Sequence, residues 1–296
     1  MVKDLCNCPN TRLAAESMNS RDLFKYRLIV SDLDGTLLDS RGKISDNTRA
    51  TINEYQKRGG VFTIATGRMD ESAGVFVDEL DVKAPIISYN GAKVVNLTDG
   101  TVLSESFLNG EMAQKAYSAL REINKDVVVY YDGTPHITEL NEVTQKYMKR
   151  INFKAKLVED IHENSNPFSK KMLVIDPKKE FELIRLIAKE AFGDMLNCVI
   201  SDEEYFEILP PETSKGHGLR VIADYLEIPM AEVIAIGDYM NDLSMIEEAG
   251  LGVAVQNAAP EVLAAADYIT LSNDEDGVAQ VIIGVIDGSM SAPKRI

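Results

Sequence analysis

Two aspartates stand close together at the end of an apolar run near the start of the chain. Asp32 and Asp34 follow the segment RLIVS (27–31), which is typical of a buried β-strand. Open α/β sheets place their ligands at the carboxyl ends of their strands, and continued strand geometry would put both side chains on one face. Two clustered carboxylates are costly unless a cation, a shared proton or separate roles accommodate them. If both aspartates only capped a turn, Gly35 would be explained but the apolar run before them would not. The two aspartates therefore indicate a reactive site.

A second acidic cluster follows another apolar strand, in the segment AIGDYMND (235–242). Asp238 comes directly after the strand, and Asn241 and Asp242 lie in the next turn. The four-residue spacing of Asp238 and Asp242 lets them face one centre across a loop that enters a helix. Carboxylates from two strand ends form a hard oxygen site, and Mg²⁺ is the cation that such a site holds beside a phosphate. We therefore predict that the four aspartates of the two clusters converge on a Mg²⁺ site.

Two further segments supply groups that bind phosphate. The second predicted strand ends in ATGR, which places the Thr66 hydroxyl, the backbone N–H groups around Gly67 and the Arg68 side chain at a helix start. Lys215 stands just before another helix, where its ammonium can neutralise a phosphate and restrain a nucleophile as a point charge. Each segment alone is common by chance. Their order, each beside a predicted strand or helix start, makes the combination specific.

Alternating strands and helices must position these residues. Apolar strands over 27–31 and 61–65 flank an amphipathic helix over 45–58. Ser45 is the predicted N-cap of this helix, and Gly59 follows its end. Continuous apolar strands of this kind indicate a parallel sheet covered on both faces, and the same rhythm near the C-terminus predicts one sheet built from both ends of the chain. The C-terminal elements predicted are a helix at 216–226, the strand EVIAIGD, a helix at 241–249, the strand LGVAV, a helix from Pro260, the strand DYITL and a helix from about 276.

The middle of the chain has a different pattern. The segment 127–139 contains two strands around an Asp-Gly turn signal, and 198–209 contains two strands around acidic turn residues. Each hairpin follows a helical stretch, at 110–124 and at 178–192, which is a weak internal repeat. This pattern predicts an α+β module inserted into the parallel-sheet domain.

These patterns predict an α/β protein with two structural units. Residues 26–89 and 211–296 are expected to form a Rossmann-like parallel-sheet core, which carries the reactive site. Residues 90–210 are expected to form the inserted α+β module, which we interpret as the part that selects the substrate. Residues 1–25 are polar and lack apolar periodicity, so they are expected to form a flexible extension.

Composition and charge exclude several classes of protein. The 296-residue chain is 45% apolar and 26% charged, which is typical of a globular protein with a sizeable core. Its net charge of -16 disfavours nucleic acid polymers and anionic membrane surfaces, although a local cation can still admit a small phosphorylated substrate. No segment approaches the roughly 20 apolar residues of a spanning helix, so we expect a cytoplasmic protein without a membrane partner. Cys6, Cys8 and Cys198 are too few and too scattered for a disulfide scaffold.

Four ordered motifs make the chain resemble the haloacid dehalogenase-like (HAD) hydrolases, most of all their Cof-type phosphatases. The likeness runs from residue 27 to about residue 287 and includes the points where that branch enters and leaves its cap domain. It implies a Mg²⁺-dependent phosphoric monoester hydrolase with a Rossmann-like core and an α+β cap, acting on a sugar phosphate, a phosphorylated cofactor or a nucleotide. The matching segments are DLDGTLL (32–38), Thr66, Lys215, GDYMND (237–242), SYNGA (88–92) and ILPPETSKG (208–216).

The resemblance also implies roles for the site residues. Asp32 is the nucleophile that forms an aspartyl-phosphate, and Asp34 is first the general acid and then the general base. Mg²⁺ is held by Asp32, the backbone carbonyl of Asp34 and Asp238. Asp242 acts from behind these ligands by orienting Lys215 or a metal-bound water.

The same likeness leaves some features open. It implies that Asn241 lies beside the phosphate, whereas Tyr239 occupies a position where the family usually has a small or amide residue. A phosphomutase of the same superfamily also keeps an acid/base aspartate two residues after its nucleophile, and it would return the phosphate from Asp32 to a sugar. A noncatalytic phospholigand-binding protein on this fold is a further alternative. The sequence indicates no oligomeric state.

Overall fold

The structure is a computed structural model that describes residues 24–290, apart from residues 132, 152, 160, 162–169 and 196. Except for its last two residues, the predicted extension over 1–25, with Cys6 and Cys8, lies outside the described residues. In the part of the chain that is described, no helix combines the length and the apolar character that crossing a bilayer requires.

Strands from both ends of the described chain form one sheet, called here the core sheet. In spatial order its strands are β14 (Tyr268–Ile269), β13 (Leu251–Ala254), β12 (Val233–Gly237), β1 (Leu28–Asp32), β2 (Val61–Ala65), β3 (Ile86–Ser88), β4 (Lys93–Val95) and β5 (Val102–Glu105). Neighbouring strands from β14 to β3 pair in parallel, whereas β3, β4 and β5 pair antiparallel. Because β1 lies between β12 and β2, the predicted sheet built from both chain ends is confirmed.

Strands from the middle of the described chain form a second sheet, called here the cap sheet. In spatial order its strands are β10 (Asn197–Asp202), β11 (Tyr205–Leu209), β9 (Lys171–Ile175), β6 (Asp126–Tyr131), β7 (Thr134–Ile137) and β8 (Lys156–Leu157). All neighbours pair antiparallel except β7 and β8. The two predicted hairpins are present as β6–β7 and β10–β11.

Helices connect the strands of both sheets. In chain order they are α1 (Asp46–Lys57), α2 (Asp70–Glu79), α3 (Gly110–Glu122), α4 (Glu142–Arg150), α5 (Phe181–Phe192), α6 (Lys215–Tyr225), α7 (Leu243–Glu248), α8 (Pro260–Ala265) and α9 (Gly277–Ile286). The predicted N-cap of α1 is confirmed, because the Ser45 side chain accepts a hydrogen bond from the backbone N–H of Thr48. Helices α3 and α5 precede the two hairpins, as the predicted repeat requires.

Apolar side chains cover both faces of the core sheet. On β1, Ile29 packs in one buried cluster with Phe62 and Ile234, whereas Leu28 and Val30 pack in the cluster on the other face. A central parallel strand needs this burial on both sides, because helices lie over both faces of its sheet. The predicted fold class, α/β with a Rossmann-like parallel-sheet core and an inserted α+β unit, is confirmed.

The predicted domain boundary at residue 90 does not coincide with the point where the chain leaves the core sheet. Strands β4 and β5 lie after this boundary, yet they pair with β3 as the antiparallel edge of the core sheet. Close antiparallel connections let the chain extend the core sheet before it leaves for the cap sheet. The division of the chain into a core and a cap remains a prediction. By sheet membership, the last strand of the core sheet before the cap sheet is β5, which ends at Glu105.

Candidate active site

Three carboxylates meet at the carboxyl ends of two neighbouring strands. Asp32 is the last residue of β1, and Asp238 directly follows β12, which pairs in parallel with β1. Asp242 reaches the same place through a single turn of 3₁₀ helix, Met240–Asp242. Each of the three offers one carboxylate oxygen, and these oxygens lie within 4.8 Å of one another. The parallel register therefore brings together the side chains of three of the four predicted aspartates.

The side chain of Asp34 lies outside this carboxylate cluster. Strand β1 ends at Asp32, so strand geometry does not continue to Asp34, and the expectation that both side chains share one face is corrected. The two oxygens of Asp34 instead accept hydrogen bonds from Nε and Nη2 of Arg68, at 2.7 and 2.6 Å. The Arg68 guanidinium, which the sequence predicts as a phosphate ligand, is therefore already bound to Asp34 by two hydrogen bonds.

The two residues after Asp34 contact the side chain of Asp238 and hold it in position. Gly35 has a φ of +85°, and a Cβ at this position would lie 2.5 Å from Oδ2 of Asp238, so a side chain is excluded by both conformation and space. The Thr36 hydroxyl donates a hydrogen bond of 2.7 Å to Oδ1 of Asp238. The turn after β1 is thus shaped around the carboxylate that follows β12.

Lys215 connects two of the carboxylates. It is the first residue of α6, it has no solvent exposure, and its Nζ lies 2.5 Å from Oδ1 of Asp32 and 2.5 Å from Oδ1 of Asp242. Although burial by itself lowers the pKa of an ammonium, the carboxylates of Asp242 and Asp32 raise the pKa of Lys215 above its ordinary value. The two carboxylates therefore favour the charged form of Lys215 in the middle of the site.

Asp242 has donors on both of its oxygens. Its Oδ1 accepts from Lys215, and its Oδ2 accepts from the backbone N–H groups of Asp238 and Tyr239, at 2.9 and 3.1 Å. The side chain is fully buried. These bonds fix the loop that carries Asp238, and the supporting role of Asp242 behind metal ligands stays a prediction.

The loop after β2 brings Thr66 and Gly67 to the same end of the core sheet. The Thr66 hydroxyl is almost fully buried and accepts a hydrogen bond of 3.0 Å from the backbone N–H of Arg68. Asn241, from the loop after β12, donates from Nδ2 to Oδ1 of Asn90 at 3.0 Å. Among the predicted phosphate-binding residues, Gly67, Arg68 and Asn241 line one cleft together with Asp32 and Asp238, whereas Thr66 and Lys215 lie beneath it.

A cleft between the core sheet and the cap sheet encloses about 660 Å³ of empty space, a figure that includes open solvent at its mouth. Asp32, Asp34 and Asp238 line its core side, and Tyr239, the residue of unusual type in the loop after β12, also lines it. The residues of the wall that the sequence reasoning did not identify are Met69, Ser72, Tyr130, Tyr147, Arg150, Ile151, Lys171, Ser201, Tyr205 and Glu207. Because most of these come from the cap sheet and α4, their convergence depends on long-range packing, and no local motif marks them.

The donor set fits a hard divalent cation. Three carboxylates and one ammonium leave an excess of negative charge at a site largely withdrawn from water. Burial, followed by the Asp242 carboxylate, raises the pKa of Asp238 to about 7, and burial also raises the pKa of Asp32. Positive charge is therefore what the ionised cluster lacks, and oxygen ligands of this kind suit Mg²⁺ or a similar cation.

Stabilisation of the protein by Mg²⁺ is expected to increase with pH. Because the folded-state pKa of Asp238 lies above its ordinary value of 3.8, the metal-free protein should lose stability as pH rises from about 4 to about 7. Added MgCl₂ should therefore raise Tm more at pH 8, where it meets an ionised carboxylate, than at pH 5.5, where it must displace a proton. Differential scanning fluorimetry at matched ionic strength measures both shifts. In Asp238→Asn both shifts should shrink, and an equal Tm shift at the two pH values in the unaltered protein would contradict the expectation.

The comparison with known families agrees with this geometry. A model of the haloacid dehalogenase-like hydrolases matches residues 29–282. The chain belongs to this family. It is 33% identical to YxeH of Bacillus subtilis over 265 residues, which cover 87% of this chain and 97% of that protein. It is 30% identical to phosphatase YwpJ of Bacillus subtilis over 281 residues, which cover 86% and 98%.

A solved structure extends the likeness to three dimensions. The crystal structure of a haloacid dehalogenase-like hydrolase from Bacteroides thetaiotaomicron has a TM-score of 0.79 and 32% identity to this HAD hydrolase. The likeness covers 87% of this chain and 98% of that one. The predicted family, its Cof-type branch and the enzyme class, a phosphoric monoester hydrolase, are confirmed. HAD hydrolases generally use a divalent metal, and the acidic cluster of this member suits one.

Proposed function

We propose that this HAD hydrolase is a Mg²⁺-dependent phosphatase that hydrolyses a small phosphorylated metabolite through a covalent intermediate on Asp32. The observation that carries the proposal is the position of Lys215, whose buried ammonium contacts Asp32 and Asp242 beside Asp238. This arrangement lies at the base of a cleft that is partly open to solvent and lined by Asp32 and Asp238.

Asp32 is the proposed nucleophile. Its carboxylate lines the cleft, and its Oδ1 is held by Lys215. An oxygen of Asp32 attacks phosphorus, the bond from phosphorus to the ester oxygen breaks, and an aspartyl-phosphate forms. Lys215 keeps the attacking carboxylate in one orientation, and its positive charge offsets part of the negative charge of the carboxylate and the phosphate.

Asp34 is the proposed proton donor and acceptor. In the first step it gives a proton to the departing alcohol, and in the second it takes a proton from the water that attacks the aspartyl-phosphate. The structure pairs its carboxylate with Arg68, so proton transfer requires the guanidinium to release Asp34. A bound phosphate offers Arg68 an alternative bidentate partner, which supports the predicted role of Arg68 in phosphate binding.

The proposed ligands of Mg²⁺ are Asp32, Asp238 and the backbone carbonyl of Asp34. When bound, the cation would offset the charge of the carboxylates and of the phosphate oxygens. The Thr66 and Gly67 loop and Asn241 are proposed to orient the phosphate, since both loops reach the carboxyl end of the core sheet. Asp242 keeps the loop of Asp238 and the ammonium of Lys215 in place.

The proposed substrates are sugar phosphates, phosphorylated cofactors and nucleotides. A relative from Bacillus subtilis, YitU, is named a 5-amino-6-(5-phospho-D-ribitylamino)uracil phosphatase and is 28% identical over 270 residues. Three tyrosines and Arg150 from the cap side give the cleft both apolar and polar surface for a leaving group. A screen of phosphorylated metabolites for phosphate release identifies the preferred class.

Hydrolysis of para-nitrophenyl phosphate tests the reaction type. The protein should release inorganic phosphate in MgCl₂ and lose this activity in EDTA. Asp34→Asn should lower kcat by about 10²- to 10⁴-fold, because the general acid and base is lost while the nucleophile remains. With this activated aryl ester, which needs little protonation of its leaving group, the variant should accumulate an aspartyl-phosphate that hydroxylamine removes.

Two results would contradict the phosphatase. One is the absence of Mg²⁺-dependent phosphate release from every ester in the screen. The other is transfer of the phosphate from Asp32 to a sugar in preference to water, which would instead indicate a phosphomutase. Asp39→Asn is the matched control for Asp34→Asn, since Asp39 lies in the same segment but pairs with Arg41 on the surface.

A further inference from the structure

A buried ion pair of the cap sheet faces the candidate active site. Lys171 begins β9 and Glu207 lies within β11, the neighbouring antiparallel strand. Their charged atoms are 3.1 Å apart, and the two side chains are only 3% and 4% exposed. Both residues line the cleft. A pair so far removed from water needs several further hydrogen bonds to remain ionised.

Those further bonds cross from the cap sheet to loops of the candidate site. Nζ of Lys171 donates to the backbone carbonyl of Gly67 at 2.7 Å, and Oε2 of Glu207 accepts from Nδ2 of Asn90 at 2.9 Å. Asn90 in turn accepts from Asn241 through its Oδ1 at 3.0 Å. One ion pair is thereby connected to the loop after β2 and to the loop after β12. These five residues are called here the cap–core network.

Asn90 is fixed in place by its backbone as well as by its side chain. It has a left-handed conformation with a φ of 54°, and its N–H donates to the carbonyl of Thr66 at 3.0 Å. The next residue, Gly91, has a φ of +96°, and a Cβ there would lie 2.1 Å from the carbonyl oxygen of Ser214, the residue before Lys215. Asn90 is therefore a rigid link between the cap–core network and the loops around it.

The oxygens of Glu207 have all their partners within the protein. Oε1 accepts from the Ser201 hydroxyl at 2.7 Å, and Oε2 accepts from Asn90 and faces Lys171. The Lys171 ammonium also lies 4.9 Å from the centre of the Tyr130 ring. Groups with this many internal partners are suited to hold loops in position, and less suited to change partners with each substrate.

We propose that Lys171 and Glu207 are positioning residues that couple the cap to catalysis, because they hold the Gly67 loop and Asn241 in the arrangement that binds phosphate. The core site is then complete only while the cap lies against it. The inference rests on the proposed phosphatase activity for its kinetic consequence, but its structural consequence does not depend on turnover. Since the network acts on the phosphate side of the reaction, its loss should affect different leaving groups equally.

Kinetics of Lys171→Met and Glu207→Gln on two aryl phosphates with different leaving groups test the proposal. Each variant should lower kcat by about 10- to 100-fold, by the same factor for para-nitrophenyl and methylumbelliferyl phosphate, because the reacting groups become misplaced. Lys171→Arg should restore part of the loss. Lys179→Met is the matched control, since Lys179 and Glu203 form a cap ion pair of 2.9 Å that is exposed to solvent, and its kcat should stay unchanged.

Hydrogen exchange provides a readout without turnover. In Lys171→Met and Glu207→Gln, backbone amides of residues 66–68 should exchange faster than in the unaltered protein, whereas Lys179→Met should not change them. If the unaltered protein hydrolyses no phosphate ester, the proposed function fails and hydrogen exchange alone decides the coupling. If Lys171→Met does not fold, Ser201→Ala replaces it, with a smaller loss of kcat expected because only one donor to Glu207 is removed.

Two outcomes overturn the coupling. The first is folded variants, with Tm well above the assay temperature, whose kcat stays within about twofold of the unaltered protein and whose amides at 66–68 exchange at the original rate. The second is a loss of kcat for one leaving group only, which would make Lys171 and Glu207 substrate-reading residues.

Discussion

Asp32→Asn is expected to lower kcat for Mg²⁺-dependent hydrolysis of an aryl phosphate by about 10⁴-fold or more, as the removal of other covalent nucleophiles does. The amide cannot form the acyl-phosphate, so neither step of the reaction is open. A phosphate-release assay in MgCl₂ measures the loss, and intact-protein mass spectrometry should detect no phosphorylated chain. Turnover equal to that of the unaltered protein would refute the assignment of Asp32 as the nucleophile.

Stability separates this loss from misfolding. Burial raises the pKa of Asp32, so the ionised carboxylate is a cost to the folded state, and its neutral replacement should leave Tm unchanged or higher in the absence of metal. Asp39→Asn serves as the control in the same segment and should keep its kcat, because Asp39 only caps the surface loop that holds Arg41 and Lys43. A fall in Tm with Asp32→Asn would mean that its bond to Lys215 outweighs the relief of repulsion.

Lys215→Met is expected to have the largest effect on stability, a loss of about 3–5 kcal/mol in the free energy of unfolding. The substitution leaves the buried carboxylates of Asp32 and Asp242 without their cation, whereas the apolar chain still fills the space. Burial raises the pKa of Asp32, and an ionised Asp32 without its cation destabilises the folded state more as pH rises, so the loss should be greater at pH 8 than at pH 5. Denaturant unfolding at the two pH values measures it.

A second buried lysine distinguishes the catalytic loss from the structural one. Lys125 also contacts two carboxylates, Asp176 and Glu180, but in the cap and away from the cleft. Lys125→Met should lower stability while kcat at a permissive temperature stays close to normal. Lys215→Met should also lower kcat by about 10²-fold or more, because the nucleophile loses its orientation and the phosphate loses a cation. Equal kcat values for the two variants would contradict a role for Lys215 beyond folding.

The main elements of the core could be predicted because each carries a local signal. An apolar run followed by a carboxylate marks β1 and β12, and Ser45 marks the start of α1. The sheet membership of β4 and β5 could not be predicted in the same way, because a short antiparallel strand fits either sheet until its partner is known.

The sequence by itself determined which residues stand at the ends of β1 and β12. The carboxyl ends of parallel strands lie at the same edge of a sheet, so a residue at the end of such a strand must lie at that edge. The strand ends indicated Asp32 and Asp238, the next turn indicated Asp242, and a helix start indicated Lys215. The structure brings these four residues together. Only the tertiary structure decided the partners of the other side chains, such as the pairing of Asp34 with Arg68.

The contacts across the cleft belong wholly to the tertiary structure. Lys171 lies 104 residues from the Gly67 carbonyl that it binds, and Asn90 lies 117 residues from Glu207. No periodicity or spacing in one sequence records which buried lysine meets which loop. Packing of the cap sheet over the core sheet settles that choice, because a buried charge is stable only where every one of its partners is in reach.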